Sequence, residues 1–238
     1  LTPCPTNLHF TESCSIWMQY LTAYYPSVEI AKIKEGDFVL IGAASSSAGL
    51  GAIDIVKSCG GSAIATTRSQ KKINFLQNYG AKAVIDTTKD NLAEKILEIT
   101  NGNGVRAVYD PIGNPFYEKY LDALQMGAIV FHFGLLSGES IKIDLSRHVR
   151  KNSFFLPYSM FNYVSEQPSL LRGVDYITKK INDGIFKPKI DKVFSFKNAI
   201  EAYKYLLEYK YTTKNDLEKN ILKFLHAYDF EIFAKSLS

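Results

Sequence analysis

Val39-Leu40-Ile41-Gly42-Ala43-Ala44-Ser45-Ser46-Ser47-Ala48-Gly49-Leu50-Gly51-Ala52-Ile53 runs from a short apolar strand pattern, through six small residues, into an apolar helix pattern. A helix N-terminus presents unpaired backbone N–H groups and a partial positive charge, so an anion can settle there when side chains leave room. Ala43 to Ser47 leave that room. The stretch departs from the dinucleotide-binding fingerprint G-x-G-x-x-G: counted back from Gly49, Ser46 stands at the middle glycine and Ala44 at the first. The loop alone therefore fits either a phosphate cradle or a plain strand-to-helix turn.

Working outward, short β-branched or apolar runs at Phe38–Gly42, Ser62–Thr67, Ala83–Asp86, Arg106–Asp110 and Ala128–Phe133 alternate with segments of helical length and periodicity. Repeated βα units predict a Rossmann-type α/β fold, a doubly wound parallel sheet with helices on both faces. Asn101-Gly102-Asn103-Gly104 marks a turn before the fourth strand, and Asp110-Pro111-Ile112-Gly113-Asn114-Pro115 a loop leaving its carboxyl end, where such sheets bind ligands. Further on, the pattern predicts a strand at Phe154–Pro157, a helix over Ser169–Gly184, a strand at Lys187–Val193 and a helix over Asn198–Lys210. The segment 212–238 reads as a divergent helical tail.

Composition narrows the function classes. The chain has 238 residues, 46% hydrophobic and 22% charged, enough for one large or two small cores, and no apolar run has the length of a membrane span. With no secretory signal pattern, a cytoplasmic protein is the expectation. Its net charge of +4 is spread rather than striped, so no nucleic-acid partner is expected. Cys4, Cys14 and Cys59 have neither disulfide-framework nor metal-site spacing, and His9, His132, His148 and His226 form no metal-spaced cluster. The start at Leu1, with Pro3 and Pro5 and no early hydrophobic element, reads as a fragment or trimmed form of a longer chain.

The second strand ends in Ala65-Thr66-Thr67-Arg68-Ser69-Gln70-Lys71-Lys72, where an NAD-binding domain would carry an acid for the ribose diol. Arg68 and Lys72 are cations instead, with Thr67 and Ser69 as hydroxyls. This set suits the dianionic 2′-phosphate of NADP. The competing reading is a solvated helix start, although cations there oppose the helix dipole.

Together with these residues, Trp17 to Tyr25, Gly36 to Ile41, Tyr109-Asp110-Pro111-Ile112-Gly113 and Phe133-Gly134-Leu135-Leu136-Ser137-Gly138 resemble the medium-chain dehydrogenase/reductase superfamily, specifically its zinc-independent quinone oxidoreductase branch. The resemblance runs from about residue 1 to about residue 210. It implies an NADPH-dependent reductase passing hydride to a quinone, enone or related small-molecule acceptor. The backbone around Ser46, Ser47 and Ala48 would hold the pyrophosphate; Thr67, Arg68 and Lys72 the 2′-phosphate; Gly134 and Leu135 the nicotinamide side. Thr22 matches a threonine near the nicotinamide in relatives, or is a packed helix-interior residue. Met18 stands where zinc-dependent relatives carry a cysteine ligand, so no metal is expected.

The resemblance also implies that residues 1–30 are a remnant of a catalytic lobe with its connecting helix, 31–211 the dinucleotide-binding domain, and 212–238 a tail beyond the family pattern. Most groups that hold an acceptor would come from the lobe, so no catalytic residue is assigned. Relatives often dimerise by pairing sheet edges, which directs attention to Ala128–Phe133 and Ile141–Leu145. Three alternatives stay open: a non-catalytic NADP-binding remnant, an enoyl-thioester reductase, and an α/β-hydrolase using Ser47 with Asp175 and His226, since Ser47-Ala48-Gly49 imitates half a nucleophile elbow.

Overall fold

The computed structural model describes residues 4–210, and the chain divides into two compact units between Lys189 and Ile190. The first unit begins with α1 (Phe10–Tyr24), continued by a π-helical segment to Ile30. β1 (Phe38–Ile41), α2 (Ser47–Ser58), β2 (Ser62–Thr67), α3 (Ile73–Tyr79), β3 (Ala83–Asp86), α4 (Leu92–Ile99) and β4 (Val105–Asp110) follow in strict alternation. Then come α5 (Phe116–Tyr120), β5 (Leu124–His132), α6 (Leu145–Lys151), β6 (Phe154–Pro157), the short α7 (Phe161–Val164) and α8 (Gln167–Asn182). In the second unit, α9 (Ala199–Lys210) follows an irregular stretch, and the hydroxyl of its Tyr205 donates to Asp191 in that stretch.

All six strands are parallel, in the order β3-β2-β1-β4-β5-β6. This is the doubly wound order, with its reversal between β1 and β4. Side chains alternate along a strand, and here both sets are buried. Val39, Ile41, Ala63, Ala65, Ala107, Tyr109 and Phe131 join one core with α1, α2 and α8, while Leu40, Ile64, Val108, Ala128 and Val130 join another with α4 and α5.

Polar links tie the layers. On α2, Asp54 accepts hydrogen bonds from the hydroxyls of Tyr20 at 3.0 Å and Tyr79 at 2.8 Å, joining α1 and α3 to it. Ser27 and Tyr109 share a buried hydrogen bond, and burial pushes the Tyr109 phenol up.

Two expectations change. Lys187–Val193 forms no strand: Phe186 and Pro188 are buried and Lys187 and Lys189 exposed, so burial alternates as in a strand, but Pro188 has no N–H to donate and no strand pairs with the stretch. The sheet edge also lies elsewhere. Ala128–Phe133 falls within or just beyond β5, which is paired on both sides, and Ile141–Asp144 is irregular; the edge strands are β3 and, next to β5, β6. The tail, with His226, lies outside the described residues. No helix among the described residues is long and apolar enough to cross a membrane.

Candidate cofactor site

The loop from β1 to α2 begins with a left-handed turn at Ala43, φ +48°, and is pinned to the neighbouring strand by the Ala44 N–H, which donates to the Thr66 carbonyl at 3.2 Å. Ser46 is the N-cap of α2, its side chain accepting from the Gly49 N–H at 3.1 Å. The next two amides, of Ser47 and Ala48, have no acceptor among the described residues. A Cβ on Gly49 would sit 2.6 Å from the Ala44 Cα, so helix and loop touch there through backbone alone. Gly49 therefore supplies the close packing of the fingerprint's last glycine, and Ala44 and Ser46 meet the space requirement of the others.

The loop opens on a crevice at the carboxyl ends of β1 and β4, lined by Thr22, Gly42, Ser46, Ala48, Tyr109 and Phe133 among others. Its position is the switch point of the sheet, where doubly wound folds bind ligands. Thr22 lines this crevice, half-buried, while its hydroxyl donates back to the Met18 carbonyl at 2.6 Å.

The end of β2 reaches the same loop. Lys72 Nζ donates to the Ser45 hydroxyl at 3.1 Å, which carries an ammonium to the cradle's rim. Arg68 is exposed with no hydrogen bond or ion pair among the described residues. Thr67 is buried, and its hydroxyl closes a turn of its own, accepting from the Ser69 N–H at 3.1 Å and donating to the Ser69 carbonyl at 3.4 Å. The structure thus puts Ser46 and Ala48 on the crevice, ties Lys72 to Ser45 of the same loop, and leaves Arg68 exposed beside the Thr67 turn.

The far wall is built from two laced loops. Asp110, fully buried at the end of β4, accepts from the Ile112 N–H at 2.8 Å, the Gly113 N–H at 2.9 Å and the Tyr120 hydroxyl at 2.8 Å. Burial pushes its carboxyl up against the pull of these donors. The Leu136 N–H donates to the Pro111 carbonyl at 2.9 Å, and a Cβ on Gly134 would lie 2.9 Å from that oxygen. Gly134 and exposed Leu135 line an open groove of about 450 Å³ that continues along Pro157, Tyr158, Ser159 and Asn162. Sequence reasoning missed Asp110 as the loop's anchor, Ser45 as the partner of Lys72, and the β6–α7 wall of this groove.

Chemically, the start of α2 offers free amides to a phosphate or diphosphate, with the Lys72 ammonium on the same loop and an apolar groove on the side of Gly134 and Leu135. No group of three or more His, Cys, Asp or Glu side chains among the described residues is placed to hold a metal, and Met18 is exposed on α1.

Residues 48–173 match the model of the zinc-binding dehydrogenase family. The chain is 27% identical over 212 residues to a quinone oxidoreductase-like protein 2 homolog of Nematostella vectensis, covering 88% of this chain and 58% of the relative. It is 28% identical over 205 residues to quinone oxidoreductase 1 of Escherichia coli, covering 85% and 63%. The crystal structure of Escherichia coli quinone oxidoreductase complexed with NADPH superposes with a TM-score of 0.73 at 28% identity, over 79% of this chain and 58% of that one. That of 2-haloacrylate reductase superposes with a TM-score of 0.80 at 26% identity, over 86% and 65%. The chain thus spans about three fifths of the length of the curated relatives it matches. The family match covers more than half of the 238 residues, and the strand order and switch-point crevice agree with it. The chain belongs to the zinc-binding dehydrogenase family of the medium-chain dehydrogenase/reductase superfamily, in its zinc-independent quinone oxidoreductase-like branch, and corresponds to the cofactor domain.

Proposed function

We propose that this chain binds NADPH across the switch-point crevice and serves in a reductase that passes hydride to a quinone, enone or related activated alkene. In this reading the amides of Ser47 and Ala48, with Ser46 at the cap, hold the pyrophosphate. Arg68 and Lys72 hold the 2′-phosphate beside the turn made by Thr67, and Gly134, Leu135 and Thr22 border the nicotinamide. NADPH, when bound, supplies the hydride. The observation that carries the reading is the Lys72 ammonium on Ser45, in a site whose second strand ends without an acid. The relatives' names support it: the Escherichia coli neighbour is a complex with NADPH, and another is a 2-haloacrylate reductase. Titration by nicotinamide fluorescence tests it. NADPH is expected to bind at least about tenfold more tightly than NADH, the worth of one charge-assisted contact to the 2′-phosphate; equal affinities overturn the cofactor choice.

In the same reading, residues 1–30 stand for the end of a catalytic lobe, 31–211 for the cofactor domain and 212–238 for a divergent tail. Self-association through the β6 edge is supported by the exposed apolar side chains of Leu145, Val149 and Phe154 on and beside it. A cytoplasmic setting is supported by three free cysteines, Cys4 and Cys14 of them exposed.

A further inference from the structure

Asn101-Gly102 and Asn103-Gly104 stand in tandem between α4 and β4, at the amino end of β4 and so at the opposite end of the strand from the cofactor site. Glycine has no Cβ, which leaves its backbone nitrogen open to the side-chain carbonyl of a preceding asparagine. Alike in sequence, the two pairs differ in setting. Asn101, φ +50°, is the left-handed residue of the Schellman turn that ends α4: its N–H donates to the Glu98 carbonyl at 3.4 Å, and the Gly102 N–H donates to the Leu97 carbonyl at 2.8 Å. Gly102 is exposed, and a Cβ on it would meet nothing within 4 Å.

The second pair is closed in. Gly104 is buried; its N–H donates to the Thr100 hydroxyl at 2.9 Å, and that hydroxyl donates in turn to the Ile96 carbonyl at 2.8 Å. Thr100 is itself only 1% exposed. A Cβ on Gly104 would lie 2.5 Å from the Ala123 carbonyl oxygen, so the backbone there has no room to bulge. Both asparagines are exposed, and neither carboxamide makes a hydrogen bond among the described residues, so the contrast lies in the two glycine nitrogens. The last turn of a helix frays readily, whereas a buried amide on a buried hydroxyl opens only with the core around it.

We propose that Asn101 is a site of spontaneous deamidation in the folded chain, and that the Thr100 hydroxyl protects Asn103 beside it. When the last turn of α4 opens, the Gly102 nitrogen gives its proton to solvent and attacks the Asn101 side-chain carbonyl carbon. The bond from that carbon to the amide nitrogen breaks, ammonia leaves and a succinimide ring closes. Water, the one co-reactant, then opens the ring at either carbonyl to give aspartate or isoaspartate, with no change of oxidation state. The open side of Gly102 has room for the longer isoaspartyl backbone. Either product places a negative charge at the carboxyl end of α4, against the helix dipole.

Ageing the whole chain at mildly alkaline pH and following its tryptic peptide 96–106 by mass spectrometry reads both sites, because each conversion adds one mass unit and fragment ions separate 101 from 103. In the folded chain Asn101 should convert at least about fivefold faster than Asn103, the worth of one net hydrogen bond, and in guanidinium chloride the two should convert alike. Thr100→Val should speed Asn103 several-fold and leave Asn101 as it was, while Thr100→Ser, which keeps the hydroxyl, should leave Asn103 slow. Equal rates in the folded native chain overturn the assignment, as does a faster Asn103, or conversion at neither site while the unfolded chain converts at both. An unchanged Asn103 rate in Thr100→Val, with its fold verified by circular dichroism, overturns the protective role of the hydroxyl. Should that variant fail to fold, the native comparison of folded and unfolded rates still decides.

Discussion

Lys72 Nζ lies 3.1 Å from the Ser45 hydroxyl, so a cation that follows β2 in sequence serves the loop that follows β1. Two segments twenty-seven residues apart thereby meet at one loop. Lys72→Ala is expected to weaken NADPH about tenfold or more, and Arg68→Ala to remove most of the NADPH-over-NADH preference. Paired fluorescence titrations check this, and a parallel loss for NADH in Arg68→Ala would show that Arg68 does not read the 2′-phosphate.

Gly49 tests the cradle sterically. An added Cβ would press on the Ala44 backbone at 2.6 Å, where no flexible side chain can give way. Gly49→Ala should cost about 1–3 kcal/mol of stability, as overpacking does, and weaken NADPH binding by shifting the helix N-terminus. Urea unfolding and the same titration measure both effects. Gly102→Ala, where no atom crowds the added Cβ but φ is +82°, should cost stability through backbone strain and leave cofactor affinity alone.

Asp110 predicts a pH dependence of one sign. Burial holds its carboxyl above the usual carboxylate range, so its contribution is full below the unfolded value and declines as pH rises through the folded one. Asp110→Asn should flatten that decline while keeping an acceptor for the Ile112 and Gly113 amides. Asp110→Ala leaves those amides without their acceptor and should cost about 3 kcal/mol, read by chemical denaturation at pH 7.

His148 predicts the opposite sign. Its ring is buried, with Nε2 2.8 Å from the Tyr117 hydroxyl and Nδ1 2.7 Å from the Ser153 hydroxyl, and desolvation holds it below 6.5, Asp144 pulling up and Arg147 down. The unfolded chain therefore takes up the proton first, and stability should fall as pH drops below 6.5. Thermal unfolding from pH 8 to 5 should show a steeper loss for the native chain than for His148→Gln.

The β6 edge predicts oligomeric state. Val149 is 79% exposed beside β6 and Phe154 58% exposed on it, and the strand's outer edge pairs with no other strand among the described residues. Val149→Glu with Phe154→Lys should shift any dimer to monomer in analytical ultracentrifugation; an unchanged mass would remove this edge from the interface.

The local pattern revealed most of the sheet. Ser62–Thr67, Ala83–Asp86 and Phe154–Pro157 occupy the spans their sequences predict, because short β-branched or apolar runs bounded by turns mark strands. β5 starts at Leu124, four residues before its predicted start, since Gly127, φ +73°, lies at a register shift that masks the earlier residues. Lys187–Val193 shows the opposite error, a strand-like pattern with no neighbour to pair with. In the site, small residues and cations were legible as types. The Ser45 contact, the Thr67 turn and the β6–α7 wall were not, because each depends on segments brought together only by the fold.

The crowding at Gly49 and the openness ahead of it put unequal demands on one loop. Random replacement across residues 43–49, selected for NADPH retention, should return glycine alone at 49, a mixture of glycine, alanine and serine from 44 to 48, and glycine or asparagine enriched at the left-handed position 43. Divergent members of this fold can therefore lose every fingerprint glycine but the last and still keep the cavity that the fingerprint describes.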